Sequence, residues 1–162
     1  MRHWGFKTFS LYVRLLRAMG TLVGFMMSVL ILLSASYAAD IDAHSGETHF
    51  YANELLEIVN QYRTSNRLRP LSEDKKLTDL AKNHSTEMHS RRVLNHDNFE
   101  ERFTESKRDY CIENVGWNYR SARAQFIAWQ ESEGHNKNML AQRIRNVGIS
   151  RIGAFVTFFA CD

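Results

Sequence analysis

The first 39 residues limit what the rest of the chain can fold into more than any later motif. Residues 1–20 hold Arg2, Lys7, Arg14 and Arg17 and no acid, an apolar run follows from Thr21 to Leu33, and Ser34-Ala35-Ser36-Tyr37-Ala38-Ala39 closes it. A basic start, a short apolar core and small residues at −3 and −1 form the pattern of a secretory signal peptide. Ser36 and Ala38 fit those two positions, so cleavage is expected after Ala38; cleavage after Ala39 would place the bulky Tyr37 at −3. The apolar run of 13 residues falls short of the roughly 20 that a membrane span needs. Retention of the segment as an N-terminal anchor is the alternative, and a start at Met19 would leave the apolar run without basic residues. The expected product is secreted or periplasmic, with no stable membrane span once the signal is removed.

Export changes the charge argument. Of 21 Lys and Arg, four lie in residues 1–38, and none of the 18 Asp and Glu do, so the remainder carries 17 basic against 18 acidic residues. The basic character belongs to the leader, and no electrostatic case for nucleic-acid binding survives its removal. The remaining 124 residues suit one domain and can bury a core without crosslinks. Its two cysteines, Cys111 and Cys161, would meet an oxidising space, where a disulfide is the default. Two reduced, buried thiols are the alternative, and neither cysteine has a partner at metal-ligand spacing.

Residues 39–50 are polar and aperiodic, and read as a disordered lead-in to a domain at 51–162. Leu55, Leu56, Val59 and Tyr62 recur as one helical face, predicting a helix over 51–66. Pro70 pushes the residue before it out of the helical region. Ser72, followed by Glu73 and Asp74, is expected to cap a second helix whose inner face carries Leu77, Leu80, Ala81, His84 and Met88. His84 on that face reads as a core histidine. Asn95–Asn98 reads as a turn and 100–109 as a charged surface loop in which Arg102 could pair with an acid. A strand is expected within 110–119, interrupted at Asn114 and Gly116. Ser121 is expected to cap a third helix over 122–131, and the runs around Gly153 predict a hairpin. The order α-α-β-α-β-β implies an α+β layered domain with a small, mostly antiparallel sheet.

The densest chemistry lies in Trp129-Gln-Glu-Ser-Glu-Gly-His-Asn-Lys-Asn-Met-Leu140. Ser132 can cap a short helix, and Gly134 allows a positive φ or a close approach beside His135. Two earlier stretches answer it, Leu94-Asn-His-Asp-Asn-Phe-Glu-Glu-Arg102 and Cys111-Ile-Glu-Asn-Val-Gly116. The expectation is that His96, Glu113 and His135 converge on one cleft; the alternative is three unrelated surface residues.

These pieces, with Leu77–Met88 before them and Asn146-Val-Gly-Ile149 after, stand in an order that resembles the CAP superfamily (cysteine-rich secretory proteins, antigen 5 and pathogenesis-related proteins), or SCP domain, in its short bacterial form. The likeness runs from about residue 51 to 160. It implies a three-layer α-β-α sandwich whose central cavity is lined by two His and two Glu. By resemblance, His96 and His135 match the His pair and Glu113 the Glu of the E-N-x-G motif, with Asn114 beside it. The second Glu has no match: its position is Ser132, and the adjacent Glu131 would point elsewhere on a helix.

Two facing imidazoles can hold a divalent ion such as zinc, with a carboxylate as third ligand or as orienter of bound water. Alternatively, the same side chains simply bond across the sandwich and fix the cleft. Two functions follow. One is a non-enzymatic binding module for a lipid, glycan or protein. The other is a metal-dependent hydrolase with Glu113 as general base on a water held by zinc on His96 and His135. The absence of H-E-x-x-H and of a second Glu favours the binding module.

Overall fold

The computed structural model describes residues 49–162. The expected signal peptide at 1–38, its cleavage site and most of the lead-in lie outside the described residues. A first helix, α1, runs over residues 49–65, taking in His49 and Phe50 from the stretch expected to be lead-in. It is followed by β1 (Ser72–Glu73), α2 (Lys75–Arg91), α3 (Phe99–Ser106), β2 (Cys111–Trp117), α4 (Ala122–Glu131), α5 (Glu133–Met139), β3 (Asn146–Ile152) and β4 (Phe155–Cys161).

The four strands form one sheet in the order β1-β3-β4-β2. Only the short β1–β3 pairing is parallel. Alternation along the strands sorts the side chains into two cores. Ile112, Val147, Ile149, Val156, Phe158 and Ala160 pack with α1 and α4 through Leu55, Val59, Phe126 and Trp129. Phe159 and Cys161 face α2 through Leu77, Leu80 and Ala81, and Val115 and Phe155 meet Met88 at the same layer. The result is the expected α-β-α sandwich with a mostly antiparallel sheet.

Several local expectations are corrected. The cap of α2 is Asp74, whose carboxylate accepts from Leu77 N at 3.0 Å. Ser72 is instead drawn into the sheet, its N–H donating to Arg145 O at 2.9 Å. The segment read as a surface loop contains α3. Its inward residues, Phe99, Arg102, Phe103 and Ser106, repeat at helical spacing, but a polar majority hides the stripe. Strand β2 runs unbroken through Asn114 and Gly116 because both are paired with β4. Ser121 caps α4 as expected, accepting from Ala124 N at 3.2 Å. Gly134 takes no positive φ; among the described glycines that conformation belongs to Gly153, in the β3–β4 turn.

Gly148 controls the distance between layers. A Cβ built on it would lie 2.0 Å from the carbonyl carbon of Leu77 and 2.1 Å from Thr78 N, so the backbone of α2 rests directly on β3. Backbone cannot swing aside as a side chain can. Gly148→Ala is therefore expected to cost more than about 3 kcal/mol in urea unfolding, above the usual range for overpacking. Gly134→Ala, at an exposed helical site with open space around it, is expected to gain roughly 0.5–1 kcal/mol.

The free edge of β2 is closed by side chains. Tyr110 O accepts from Asp162 N, and Asn118 N donates to Ala154 O. Even-numbered residues of β2 thus bond to β4, and the carbonyls of Glu113 and Val115 face outwards. Asn138 Nδ2 and Trp129 Nε1 donate to them, each at 3.0 Å. An edge with its acceptors taken is a poor template for another strand.

Candidate functional site

The site grows from that edge. Asn138 Nδ2 also lies 2.9 Å from Asn114 Oδ1, and Asn114 Nδ2 donates to the carbonyl of His135 at 3.0 Å. This ladder of amides fastens α5 to β2 and sets His135 at the sheet edge. Ser132 is the cap residue of α5 by position, but its side chain makes no capping bond.

Glu113 projects from β2 towards α2 and α3 and is buried, with a side chain 1% exposed. The Arg102 guanidinium grips it as a fork: Nε donates to Oε2 at 2.9 Å and Nη2 to Oε1 at 2.8 Å. His96 Nδ1 lies 2.9 Å from the same Oε1, its ring half exposed. Arg102 Nη1 donates to Asp97 O at 2.7 Å, so one arginine holds both the acid and the loop that carries His96. His84 is fully buried behind them, with Nε2 3.0 Å from Asn95 O and 3.7 Å from Glu113 Oε1. Its Nδ1 has no hydrogen-bond partner among the described residues. The reading of His84 as a core histidine fits, and its bond to the loop makes it part of the support for His96.

Burial by itself would raise the Glu113 pKa, but the hydrogen bonds from His96 and Arg102 and the arginine's charge outweigh it and hold the carboxyl below its usual range. Burial lowers the pKa of both His84 and His135. At His135 the charge of His96 adds to this; at His84 the attraction of Glu113 offsets it only in part. An unfolded chain would accept protons on these two imidazoles near the ordinary value of 6.5, while the folded chain resists them. Their effect on stability therefore begins as pH falls through that value. The contribution of Glu113 is present above the ordinary carboxylate value of 4.5 and is lost as pH drops through its depressed folded value. Thermal melts are expected to show stability falling as pH drops from 7 to 5.5. His84→Gln should flatten part of that slope; an unchanged slope would remove His84 as a contributor.

His96 and Glu113 are thus in contact. His135 is tied to the neighbouring residue of β2 through its backbone carbonyl, which accepts from Asn114 Nδ2. Ser132 and His135 line a hollow of about 310 Å³ with Trp129, Gln125, Trp117 and Leu94, and the rings of Trp129 and His135 are 6.3 Å apart. Glu131 is exposed at the end of α4, away from this lining. Residues that sequence reasoning missed include Asn138 and Gln125; Arg102 was noted only as a cation seeking an acid.

Neutral imidazoles suit a zinc ion, and His96, with Nδ1 turned to a carboxylate, has the form of an oriented ligand. Glu113 does not fit as a third ligand, because both of its oxygens already serve Arg102. Among the described residues no group of three or more His, Cys, Asp or Glu is placed to hold a metal.

Cys111 and Cys161 form a disulfide across paired positions of β2 and β4. It lies two residues from Glu113 and anchors the strand that carries it.

A sequence profile for the cysteine-rich secretory protein family, CAP, matches residues 56–161. No curated protein matches the sequence. Among solved structures, an extracellular SCP-domain protein from Bacillus anthracis superposes with a TM-score of 0.67 at 23% identity over 70% of this chain and 41% of that one. A cysteine-rich secretory protein from Staphylococcus aureus gives 0.65 at 18% identity over 70% and 38%. An outer surface protein from Borrelia burgdorferi gives 0.64 at 16% identity over 68% and 90%. The chain spans about two fifths of the length of the first two. Among the described residues no helix is long and apolar enough to cross a membrane.

Proposed function

Because the chain belongs to the cysteine-rich secretory protein (CAP) family, we propose that it is an exported, non-enzymatic binding module whose ligand enters the cleft beside His96 and His135. The extracellular setting of its structural neighbours and the leader-like N-terminus support export. The observation that carries the binding reading is the state of Glu113. A general base must turn a free oxygen towards water. Here the carboxylate is buried, bidentate to Arg102 and bonded to His96, and a pKa held low makes it a weak base. Its work is to position the His96 loop at the rim of the hollow.

Zinc, if bound, would sit on His96 and His135 and offer a ligand oxygen a Lewis acid. Glu113 would orient His96 and Arg102 would keep Glu113 ionised. Titrating zinc while following the imidazole signals of both histidines tests the ion, and a flat response, or one that survives His96→Ala with His135→Ala, removes it. A broad ester and peptide screen tests the wider reading. Turnover lost in a folded Glu113→Gln variant would replace the binding module by a hydrolase.

A further inference from the structure

The hollow at the free end of β2 contains a feature that the His–Glu cluster does not use. Gln125, on the inner face of α4, is 1% exposed, and among the described residues neither its amide oxygen nor its amide nitrogen has a hydrogen-bond partner. Folded proteins pair the large majority of such atoms. The side chain is held against the strand: a Cβ on Gly116 would fall 2.0 Å from Gln125 Oε1, so glycine there makes room for the amide. Gln125 lines the hollow of about 310 Å³ together with His135 and Ser132. Trp117 and Tyr119 also line it, and these residues stand 53% and 38% exposed.

Four properties of this hollow select a ligand. None of its lining residues is Asp, Glu, Lys or Arg, so the ligand is neutral. A primary amide offers one donor side and one acceptor side, which another amide matches. Exposed aromatic faces take up apolar ring faces, such as the C–H face of a sugar. The volume is at the small end for ligand sites, which run from about 300 to 1,000 Å³, and suits a single ring. An added peptide strand is disfavoured, since the outward carbonyls of β2 already accept from Trp129 and Asn138.

We propose that this hollow binds an N-acetylated amino sugar, with the acetamido group paired to the Gln125 amide and the ring laid against Trp117 or Tyr119. The assignment rests on the binding-module reading and names its ligand class. The test is a titration of the purified full chain with N-acetylglucosamine, followed by the side-chain amide signals of Gln125 and the indole signals of Trp117 and Trp129. Saturable shifts are expected with roughly millimolar affinity. Glucose, which lacks the amide, and glucosamine, which replaces it with a cation, should bind at least about tenfold more weakly. Gln125→Leu keeps the volume and removes the unpaired atoms, so it should fold and lose the sugar; Trp117→Ala, at an exposed site, should weaken it. Equal binding of glucose, no shift with N-acetylglucosamine to about 20 mM, or full binding by Gln125→Leu would each overturn the assignment. A different neutral ligand shifting the same signals would also overturn it while leaving the binding-module reading intact. Only turnover dependent on Glu113 would remove that reading itself.

Discussion

Arg102→Ala is expected to destabilise the domain by about 3–5 kcal/mol, a drop in Tm of roughly 10–20 °C. The magnitude comes from what would be left behind. Glu113 is 1% exposed, and with the guanidinium gone its carboxylate keeps only the His96 contact as a charged-group partner at hydrogen-bond distance. A buried charge without its partner must be desolvated uncompensated or take up a proton. The pair should be worth far less than this figure, because burying two ions costs nearly as much as their attraction returns. Hence the double variant Arg102→Met with Glu113→Leu should recover most of the loss in chemical denaturation. A small effect of Arg102→Ala alone would mean that water or a shifted His96 replaces the guanidinium readily. The same variant should release the loop at 95–98, since Arg102 also holds Asp97 O, and so broaden the His96 signals.

Replacing both cysteines by serine is expected to cost about 4 kcal/mol. The bridge joins positions 50 residues apart, and the chain-entropy account of closing such a loop gives about that figure. Its position adds a local effect. Cys111 opens the edge strand β2, whose outer side has no strand neighbour among the described residues, so the bridge pins the end where fraying would start. Hydrogen exchange of Ile112 and Asn114 amides should therefore rise more than exchange in β3, which is flanked by β1 and β4. Equal protection across the sheet would show that the amide ladder from α5 holds β2 unaided. Reduction with a thiol should reproduce the serine variant.

The legibility of the fold followed the strength of the local signal. Helix α2 was readable because Leu77, Leu80, Ala81, His84 and Met88 repeat without interruption, and all five are buried. The hairpin around Gly153 was readable because a β-rich run stands on each side of a residue that tolerates φ of 56°. Helix α3 was not, since the buried members of its stripe include an arginine and a serine, which a hydrophobicity pattern counts as surface. Strand β1 was invisible for another reason. Two polar residues have no periodicity, and Ser72 and Glu73 are extended only because β3 lies alongside.

The site divides in the same way. The types and order of His96, Glu113 and His135 could be picked out from the chain because each sits in a short stretch dense in polar side chains, Asn and Gly. Their partners could not. Arg102 reaches Glu113 across 11 positions, and Asn138 reaches it across 25.

By itself the sequence determined the apolar faces of the helices and the family order of motifs, since these depend on composition and on periodicity within a few residues. Only the tertiary structure decided that Glu113 is an arginine-bound strut, that the edge of β2 is closed, and that Gln125 is buried unpaired beside an aromatic hollow. Those outcomes depend on which distant groups meet and on whether water can reach them, and no spacing along a chain encodes either.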